Sequence, residues 1–361
     1  MSIRGARMCW LALLLAACAG EQSALDPAGE AATQISRLFW QMCAGAGLIW
    51  VAMVALTLFA TYREPSARSA AHGRLLIVGG GVILPTLLLA LLLVYGLRML
   101  PPLLAAAPPG SLQIHITAEQ YFWRVRYTQP DGRGVELANE LRLAAGQPAQ
   151  LVLDARDVIH SFWVPALAGK VDMIPGRRTQ LQLLPTRKGV FRGTCAEYCG
   201  TSHALMSLHV MVLEPDELTR WLREQAQPAR VPVEPEAVRG AALFTQNGCG
   251  ACHSVRGTHA RGVVGPELTH VGSRSSLAAG TLRNEPAQFT RFLAELDQIK
   301  PGTRMPHFGM LPRRTCARSA HTWRRCSDAR HEADAHSGRR PRASQRAPAR
   351  RADPSASGAA A

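Results

Sequence analysis

The sequence predicts a multidomain membrane protein that combines a transmembrane helical hairpin, a β-sandwich or barrel domain and a helical C-terminal domain. Three observations carry this prediction. Two long apolar segments lie near the N-terminus, short alternating runs follow them, and a Cys-x-x-Cys-His motif lies beyond a proline-rich linker. At 361 residues the chain is long enough for two or three domains.

The N-terminus has the layout of a secretory signal. Arg4 and Arg7 precede a short apolar run over residues 10–17. The sequence Leu-Ala-Ala-Cys ends this run and resembles a bacterial lipobox, so we predict a signal peptide over residues 1–18 and a lipidated Cys18. Ordinary cleavage near Ala19, or an uncleaved start, is the alternative.

The hairpin is predicted within residues 19–110. The apolar segments 38–61 and 75–97 contain no charged residue, and each is long enough to span a bilayer at about 1.5 Å per residue. The charged residues that mark their connection are Arg63, Arg68, Arg74 and one acid, Glu64. This excess of arginine predicts a cytoplasmic connection, with both termini outside. Two buried core helices are the alternative.

Residues 111–220 alternate between apolar and polar side chains at the period of a β-strand. The clearest runs are 113–118, 149–154, 179–183 and 207–212. Turn signals such as Pro175-Gly176 separate them, so the region predicts a Greek-key sandwich or barrel.

Residues 221–234 are predicted as a linker, and residues 235–312 as a second exported domain that begins with a helix near 235–246.

Residues 195–206 concentrate metal-binding side chains. Cys195, Cys199, His203 and Met206 supply thiolate, imidazole and thioether, a ligand set that suits copper, and His160 offers a second imidazole upstream. The Cys-x-x-x-Cys spacing is wide for a zinc knuckle and has no second cysteine pair. A disulfide between the two cysteines is the alternative, but it leaves the histidines and the methionine unexplained.

Cys249-Gly250-Ala251-Cys252-His253 is the attachment signal for a c-type haem, with His253 placed to ligate iron. A zinc site or a thioredoxin-like redox pair is the alternative, although no second ligand pair lies nearby. Residues 300–306 resemble the distal loop of small class I cytochromes c. That resemblance implies Met305 as the sixth iron ligand, with Met310 as the competitor, and a Met/His pair raises the haem potential.

Together these motifs resemble subunit II of haem–copper cytochrome c oxidases, whose β domain is a cupredoxin that holds a dinuclear CuA centre. The resemblance implies that two thiolates bridge both coppers, that each histidine caps one copper, and that a methionine and a backbone carbonyl are weak axial ligands. The implied ligands are His160, Cys195, Glu197 (through its carbonyl), Cys199, His203 and Met206. The Glu197 side chain is also implied in binding magnesium at the interface with subunit I.

The additional haem motif resembles the caa-type oxidases, in which subunit II carries its own cytochrome c. The resemblance implies that electrons from cytochrome c or another donor pass through the haem to CuA. They then reach subunit I, where oxygen is reduced with coupled proton translocation. It also implies other oxidase subunits as partners, and a multi-pass location in the bacterial inner membrane with the copper and haem domains on the periplasmic side.

Three alternatives to an oxidase subunit remain open. A quinol oxidase subunit II would share the hairpin and the β domain but lack the copper ligands. A CuA-bearing subunit of a nitric oxide reductase would look similar and differ in its catalytic partner. A free-standing membrane-tethered electron carrier or copper carrier would have no large partner subunit.

Gln120 precedes three aromatic residues, Tyr121, Phe122 and Trp123. In the family, the first aromatic of such a run is usually a tryptophan that receives electrons beside CuA. The resemblance therefore implies electron-transfer roles for Tyr121 and Trp123, with Tyr121 as a departure from the pattern. A tethered donor explains the departure, because tethering raises the local donor concentration without a large docking interface. Asp157 is a candidate for orienting His160.

The net charge of +15 could indicate nucleic-acid binding, but its distribution argues against that partner. Residues 313–361 carry 12 Arg and 4 acidic residues, so +8 of the +15 lies in the tail and +7 is spread over the rest. The tail has the composition of a disordered basic segment. A cytochrome c of this type should instead end in a helix. We hypothesise a frameshift near Arg313, which the genomic DNA tests.

Overall fold

The computed structural model of the chain describes residues 20–62, 70–128 and 134–311. Four sequence predictions fall outside these ranges: the signal peptide with Cys18, the arginines at 63 and 68, a turn at 130–132, and the tail 313–361.

The described chain begins with helices, continues as a β domain and ends with short helices. The helices are α1 (Glu30–Tyr62), α2 (Ala70–Leu75), α3 (Leu84–Leu104), α4 (Pro215–Gln225), α5 (Pro235–Gln246), α6 (Pro286–Ala294) and α7 (Leu296–Ile299). The strands are β1 (Leu112–Glu119), β2 (Phe122–Thr128), β3 (Gly134–Ala138), β4 (Glu140–Ala144), β5 (Ala149–Ala155), β6 (His160–Trp163), β7 (Val171–Met173), β8 (Thr179–Leu183), β9 (Gly189–Cys195), β10 (Ser207–Leu213), β11 (Ser276–Leu277) and β12 (Leu282–Arg283).

Two helical segments, Glu30–Tyr62 and Gly73–Leu104, are long and apolar enough to cross a membrane by length and composition. Both exceed the predicted ranges 38–61 and 75–97, because apolar composition marks only the part of a helix that faces lipid. Helix α3 continues through the proline pair at 101–102 to Leu104. Neither proline can donate to the carbonyl four residues earlier, so the last turn of α3 has fewer backbone hydrogen bonds than the rest of the helix.

A π-helical stretch, Leu76–Ile83, joins α2 to α3. The amide of Leu84 donates to the carbonyl of Gly79, five residues back. Pro85, in the first turn of α3, cannot donate to the carbonyl four residues earlier and would clash with it, and a widened turn relieves both problems.

The β domain is a sandwich of two five-stranded sheets, with strand orders β3-β2-β1-β5-β8 and β4-β10-β9-β6-β7. The four strands expected from sequence alternation are present as β1, β5, β8 and β10. Alternate residues of β1 face inward, and Ile114, Ile116 and Ala118 are fully buried. Trp123 and Tyr127 of β2 join the same core, which confirms that aromatics of this strand pack inside.

Two segments from outside the sandwich complete its core. The chain around Ala28 runs along the β domain, where the Ala28 amide donates to Ala166 (2.7 Å) and the Ala28 carbonyl accepts from Thr186 (2.8 Å). Helix α4 buries Leu218 and Trp221 in the same cluster. The predicted domain boundary at residue 220 therefore lies inside a helix that packs on the β domain.

The C-terminal domain is built from α5–α7, short 3-10 turns and the small β11–β12 ribbon. Its cluster of buried apolar side chains in the described part of the chain consists of Phe244, Val255, Val271 and Leu277. Helix α5 matches the predicted range 235–246. The observed order of two apolar helices, a β-rich domain and a helical domain confirms the predicted fold class.

Candidate metal and cofactor sites

The predicted copper ligands lie at the ends of neighbouring strands of one sheet. His160 is the first residue of β6, Cys195 is the last residue of β9, and Met206 directly precedes β10. β9 pairs with both β6 and β10, so these three positions meet at one edge. The loop between β9 and β10 carries Cys199 and His203 to the same place.

The side chains of this group approach one another closely. The Cys195 and Cys199 sulfurs are 3.9 Å apart. His160 Nδ1 lies 3.7 Å from the Cys195 sulfur, and His203 Nδ1 lies 3.6 Å from the Cys199 sulfur. The Met206 sulfur is 4.0 Å from the Cys199 sulfur, and the Glu197 carbonyl oxygen is 3.1 Å from the Cys195 sulfur. The structure thus brings together all six residues of the predicted set.

This donor set fits a thiophilic metal. A separation of 3.9 Å is nearly twice a disulfide bond of about 2.05 Å, and both cysteines are free. It is also shorter than two metal–thiolate bonds of about 2.3 Å each, so one ion can contact both sulfurs. His160, Cys195 and Cys199 are buried, and their ligand atoms lie within 4.8 Å of one another. Soft sulfur with imidazole is the set that copper favours.

Asp157 organises this cluster. Its Oδ1 lies 2.9 Å from His160 Nε2, and its Oδ2 accepts a hydrogen bond from the Gln120 amide at 2.7 Å. Burial works to raise the pKa of Asp157, but these hydrogen bonds outweigh burial and lower the pKa to about 2. An ionised carboxylate on Nε2 leaves Nδ1 directed at the sulfurs.

The cysteines have opposed pKa shifts. A hydrogen bond from Cys199 and another from His160 lower the pKa of the Cys195 thiol despite its burial. The pKa of the Cys199 thiol is raised, because ionising it would place a second negative charge beside Cys195 in a buried site. One thiolate is therefore favoured even by the protein alone, and a cation between the sulfurs would favour both.

The aromatic run beside the copper cluster divides into two roles. Trp123 is fully buried, and its ring meets the His160 ring edge-on with centroids 6.5 Å apart. Residues 196–206, which join β9 to β10, are called the copper loop. Tyr121 is 5% exposed and lies against this loop, where a Cβ at Gly200 would come within 2.5 Å of its hydroxyl oxygen. Gly200 has φ +123°, so glycine is required here for both conformation and space.

A cavity of about 390 Å³ lies in the C-terminal domain and contains the predicted haem-binding residues Cys249, Cys252, His253 and Met305. Its apolar lining includes Phe244, Leu268, Leu277, Phe289, Phe292 and Leu296. A cavity with two cysteines on one wall and apolar side chains around it fits a covalently held haem c. Met310 is 71% exposed and does not line this cavity.

His253 is held in one orientation. Its Nδ1 lies 2.7 Å from the Pro266 carbonyl oxygen, so Nδ1 carries the proton and Nε2 keeps its lone pair for a metal. Burial is the main reason that the pKa of His253 is lowered, which favours the neutral ligating form. A Cβ at Gly265 would lie 2.5 Å from the ring, so Gly265 allows this close packing.

The loop that carries Met305 packs directly on the copper loop. Gly302 lies beside Tyr121 and Thr201, because a Cβ there would be 3.4 and 3.6 Å from their side chains. Arg304 Nη2 is 3.6 Å from Asp157 Oδ2. Tyr121 also lines the haem cavity. The residue in the first aromatic position therefore touches both sites.

The two domains are joined by more than the linker. Arg124 of β2 is buried between Glu119 (2.9 Å) and Glu136 (2.5 Å), and it donates to the carbonyl of Val263 at 3.0 Å in the haem domain. Arg256 of the haem domain donates in return to the carbonyl of Glu136 at 3.2 Å. A tethered donor was expected to need no large docking interface, and the structure adds specific hydrogen bonds from Arg124 and Arg256 across the domain boundary.

Sequence reasoning missed Arg124 and Lys300 as site residues and named Gln120 only as a marker. The Gln120 Nε2 donates to the Cys199 carbonyl at 2.6 Å and so supports the copper loop. Its position before the aromatic run was a usable signal. Arg124 and Lys300 have no comparable signal, since their contacts across the domain boundary end on backbone carbonyls.

Comparison with known proteins gives two family matches in succession. Residues 124–213 match the model of the cytochrome c oxidase subunit II periplasmic domain, and residues 237–313 match that of cytochrome c. A curated relative, cytochrome c oxidase subunit 2 of Alkalihalophilus pseudofirmus, is 35% identical over 198 residues, which cover 55% of this chain and 56% of the relative. The protein of the same name from Bacillus sp. strain PS3 is 34% identical over 203 residues, covering 53% and 55%.

The chain thus spans about half the length of the curated relatives it matches. Among solved structures, the periplasmic domain of subunit II of cytochrome oxidase from Bradyrhizobium japonicum is 29% identical. The match covers 33% of this chain and 96% of that chain, with a TM-score of 0.31.

The fold and the family matches describe a chain in which two apolar helices precede a domain similar to the periplasmic domain of cytochrome c oxidase subunit II and a domain similar to cytochrome c. This order of domains resembles a subunit II with a fused C-terminal cytochrome c. The two families imply copper and haem c as cofactors, and the His160, Cys195 and Cys199 group indicates where copper binds. The apolar helices and the periplasmic-domain match indicate a membrane anchor with exported domains.

Proposed function

We propose that this chain is the electron-accepting subunit of a respiratory cytochrome c oxidase. It takes single electrons from cytochrome c or another donor and delivers them through a haem c and a dinuclear CuA centre to a haem–copper subunit that reduces oxygen to water. The observation that carries the proposal is the placement of Tyr121, which lines the haem cavity and lies against the copper loop.

The proposed residue roles follow the geometry. Cys195, Cys199, His160 and His203 hold the copper pair, with Met206 and the Glu197 carbonyl as weak ligands. Cys249 and Cys252 attach the haem, and His253 and Met305 ligate its iron. When bound, these groups gain and lose single electrons, and the protein holds them still. Ligands at the ends of paired β-strands need little rearrangement when the metal changes charge.

The aromatic residues support transfer between the two sites. Tyr121 packs between the copper loop and the Met305 loop, and Trp123 lies edge-on to His160 inside the core. Tyr121, which is 5% exposed, fills the space between the two loops and leaves little room there for water. The fused domain covers the position where a separate donor would otherwise reach the copper domain, so we propose that external electrons enter through the haem.

Several further assignments belong to this proposal. The Glu197 side chain is exposed and could reach a magnesium ion at the interface with subunit I. The hairpin over residues 19–110 would anchor the chain as a multi-pass protein of the bacterial inner membrane. The copper domain (111–220, extended by α4 to Gln225) and the haem domain (235–312) would then lie on the periplasmic side, and other oxidase subunits would be partners.

Metal and haem analysis of the membrane-extracted complex, combined with EPR, tests the proposal. We expect two coppers per chain that share one unpaired electron, and one covalent haem. Copper-free protein after reconstitution, or a disulfide between Cys195 and Cys199 in the active complex, would contradict it. Oxygen turnover separates an oxidase from a nitric oxide reductase, and co-purification of a large haem–copper subunit separates both from a free-standing carrier.

A further inference from the structure

The region where the haem domain meets the copper loop is a built interface, which we call the copper–haem seam. It consists of residues 200–207 on the copper side and residues 278–281 and 300–304 on the haem side. The side chains of Ser202, Thr281 and Lys300 make hydrogen bonds across it, and each of these bonds ends on a backbone carbonyl. Every residue has a backbone carbonyl, so these bonds fix the position of the facing segment without depending on which side chains it carries.

Lys300 lies at the centre of the seam. Its side-chain nitrogen donates to the carbonyl of Leu205 at 3.0 Å and to the carbonyl of Ala278 at 2.8 Å. Only 3% of the residue is exposed. A buried amino group is costly unless its donors are satisfied, and here two of them are. Leu205 lies between His203 and Met206, so the lysine holds the turn that joins two proposed copper ligands.

The same turn has further support from the haem domain. The single hydroxyl proton of Thr281 is shared between the Ala278 carbonyl, 2.8 Å from Oγ1, and the Leu205 carbonyl, 3.3 Å from it, and the Ser207 amide donates to the Ala279 carbonyl at 3.0 Å. In the other direction, Ser202 Oγ donates to the Pro301 carbonyl at 2.7 Å. Both sides of the His203–Met206 turn are therefore attached to segments that also line the haem cavity.

Burial lowers the pKa of Lys300 to about 7. The neutral amine still has two N–H donors and the ammonium has three, so either form can serve both carbonyls. The geometry of the bridge thus does not depend on the charge of the lysine.

We infer that Lys300 is a positioning residue that locks the copper-ligand turn of residues 203–206 to the Met305 loop. The inference rests on the proposed function for its purpose, because a fixed turn keeps the two cofactors at one separation for electron transfer. The lock itself belongs to the polypeptide and can be measured without either cofactor reaction.

Amide hydrogen exchange on the full membrane-extracted complex tests the lock. In Lys300→Met, which keeps the side-chain length and removes the donors, we expect protection of the Leu205, Met206 and Ser207 amides to fall about tenfold or more. Amide protection in α5 and α6 should stay unchanged. A general destabilisation of the haem domain would instead lower protection in these helices as well. Lys170→Met, an exposed lysine of the copper domain, is the matched control.

Thr281→Val provides a second variant that keeps the side-chain shape and removes one hydroxyl from the same carbonyl. We expect a smaller loss of protection at the same three amides. If Lys300→Met fails to fold, Lys300→Gln, which keeps a shorter donor that does not span both carbonyls, replaces it with the same expected loss of protection. Unchanged protection at these amides in the variants that fold would overturn the inference.

A kinetic measurement connects the lock to transfer. In the complex loaded with both cofactors, a light-activated one-electron reductant added to the sample would reduce the haem, and the electron would then pass to the copper site with no bond made or broken. We expect this step to slow in Lys300→Met while reduction of the haem by an external donor is unchanged. A wild-type complex that lacks copper or shows no such step contradicts the proposed function, whereas the amide protection reports on the lock regardless.

Discussion

The copper region and the haem region of this chain hold their proposed ligands in different ways. The proposed copper ligands are attached to paired strands of a sandwich whose core is continuous from Ala28 to Trp221. The proposed haem ligands line a cavity of about 390 Å³ beside a small described apolar cluster around Phe244 and Val271.

The two regions differ in how much their cofactor contributes to the packing of the domain. The sandwich buries enough apolar surface to place His160 and Cys195 by strand pairing alone. In the haem domain, the aromatic and aliphatic side chains around the cavity face one another across it, and a porphyrin would supply the surface that they pack against. We therefore expect the copper site to tolerate loss of its metal and the haem domain to depend on its cofactor.

Removing the haem attachment should give the largest effect. In Cys249→Ser/Cys252→Ser we expect complete loss of covalent haem and of the cooperative thermal transition of the haem domain, while two coppers per chain remain but bind more weakly, because Lys300 no longer holds the turn of residues 203–206. The reciprocal variant Cys195→Ser/Cys199→Ser should lose copper and keep both haem and folded domains. Haem staining, copper analysis and calorimetry measure these outcomes. Complete copper loss in the first variant would show that the copper site does not form without the haem domain.

Replacing the proposed sixth ligand should change the haem without unfolding it. Met305→Leu conserves volume but removes the sulfur, so we expect the reduction potential of the haem to fall and the iron–methionine charge-transfer absorption to disappear. Met310→Leu is the matched control because Met310 is 71% exposed. Redox titration checks both. An effect of Met310→Leu equal to that of Met305→Leu would reverse the ligand assignment.

On the copper side, Asp157→Asn should weaken metal binding without abolishing it. The variant removes the charge that orients His160 through a 2.9 Å contact. Loss of such a carboxylate partner typically costs about 10–100-fold in metal affinity. Asp172→Asn, at an exposed aspartate of the same domain, should leave the affinity unchanged. Copper competition titrations with a chelator give the values, and equal affinities for wild type and Asp157→Asn would refute the orienting role.

The smallest effect is expected at the exposed edge of the interface. Arg304 is 61% exposed at its side chain and lies 3.6 Å from Asp157. Such pairs contribute about 0–1 kcal/mol, so Arg304→Gln should change copper affinity by less than about fivefold, and less at high salt. The same titrations measure it. A larger loss would mean that the arginine acts on the copper site itself.

Much of this architecture was predictable because its signals are local. The spacing of residues 195–206 and the Cys-x-x-Cys-His motif predict metal and haem binding from neighbouring residues. The alternation in runs such as 113–118 predicts which side chains of a strand are buried. The placement of α4 was less accessible, because nothing in its sequence distinguishes a helix that packs on the sandwich from the start of a linker. Trp221 and its neighbours needed the tertiary structure to be assigned to the core.

The sequence predicted the order of domains, the proposed ligand sets of both sites and an aromatic run beside the proposed copper ligands. The hydrogen bonds that dock the haem domain on the copper domain became visible only in the tertiary structure. It also showed that Tyr121 touches both sites and that Lys300 holds the copper loop. The physical reason is that these contacts join side chains to backbone groups far away along the chain, and a backbone carbonyl carries no residue-specific signal that a sequence could display.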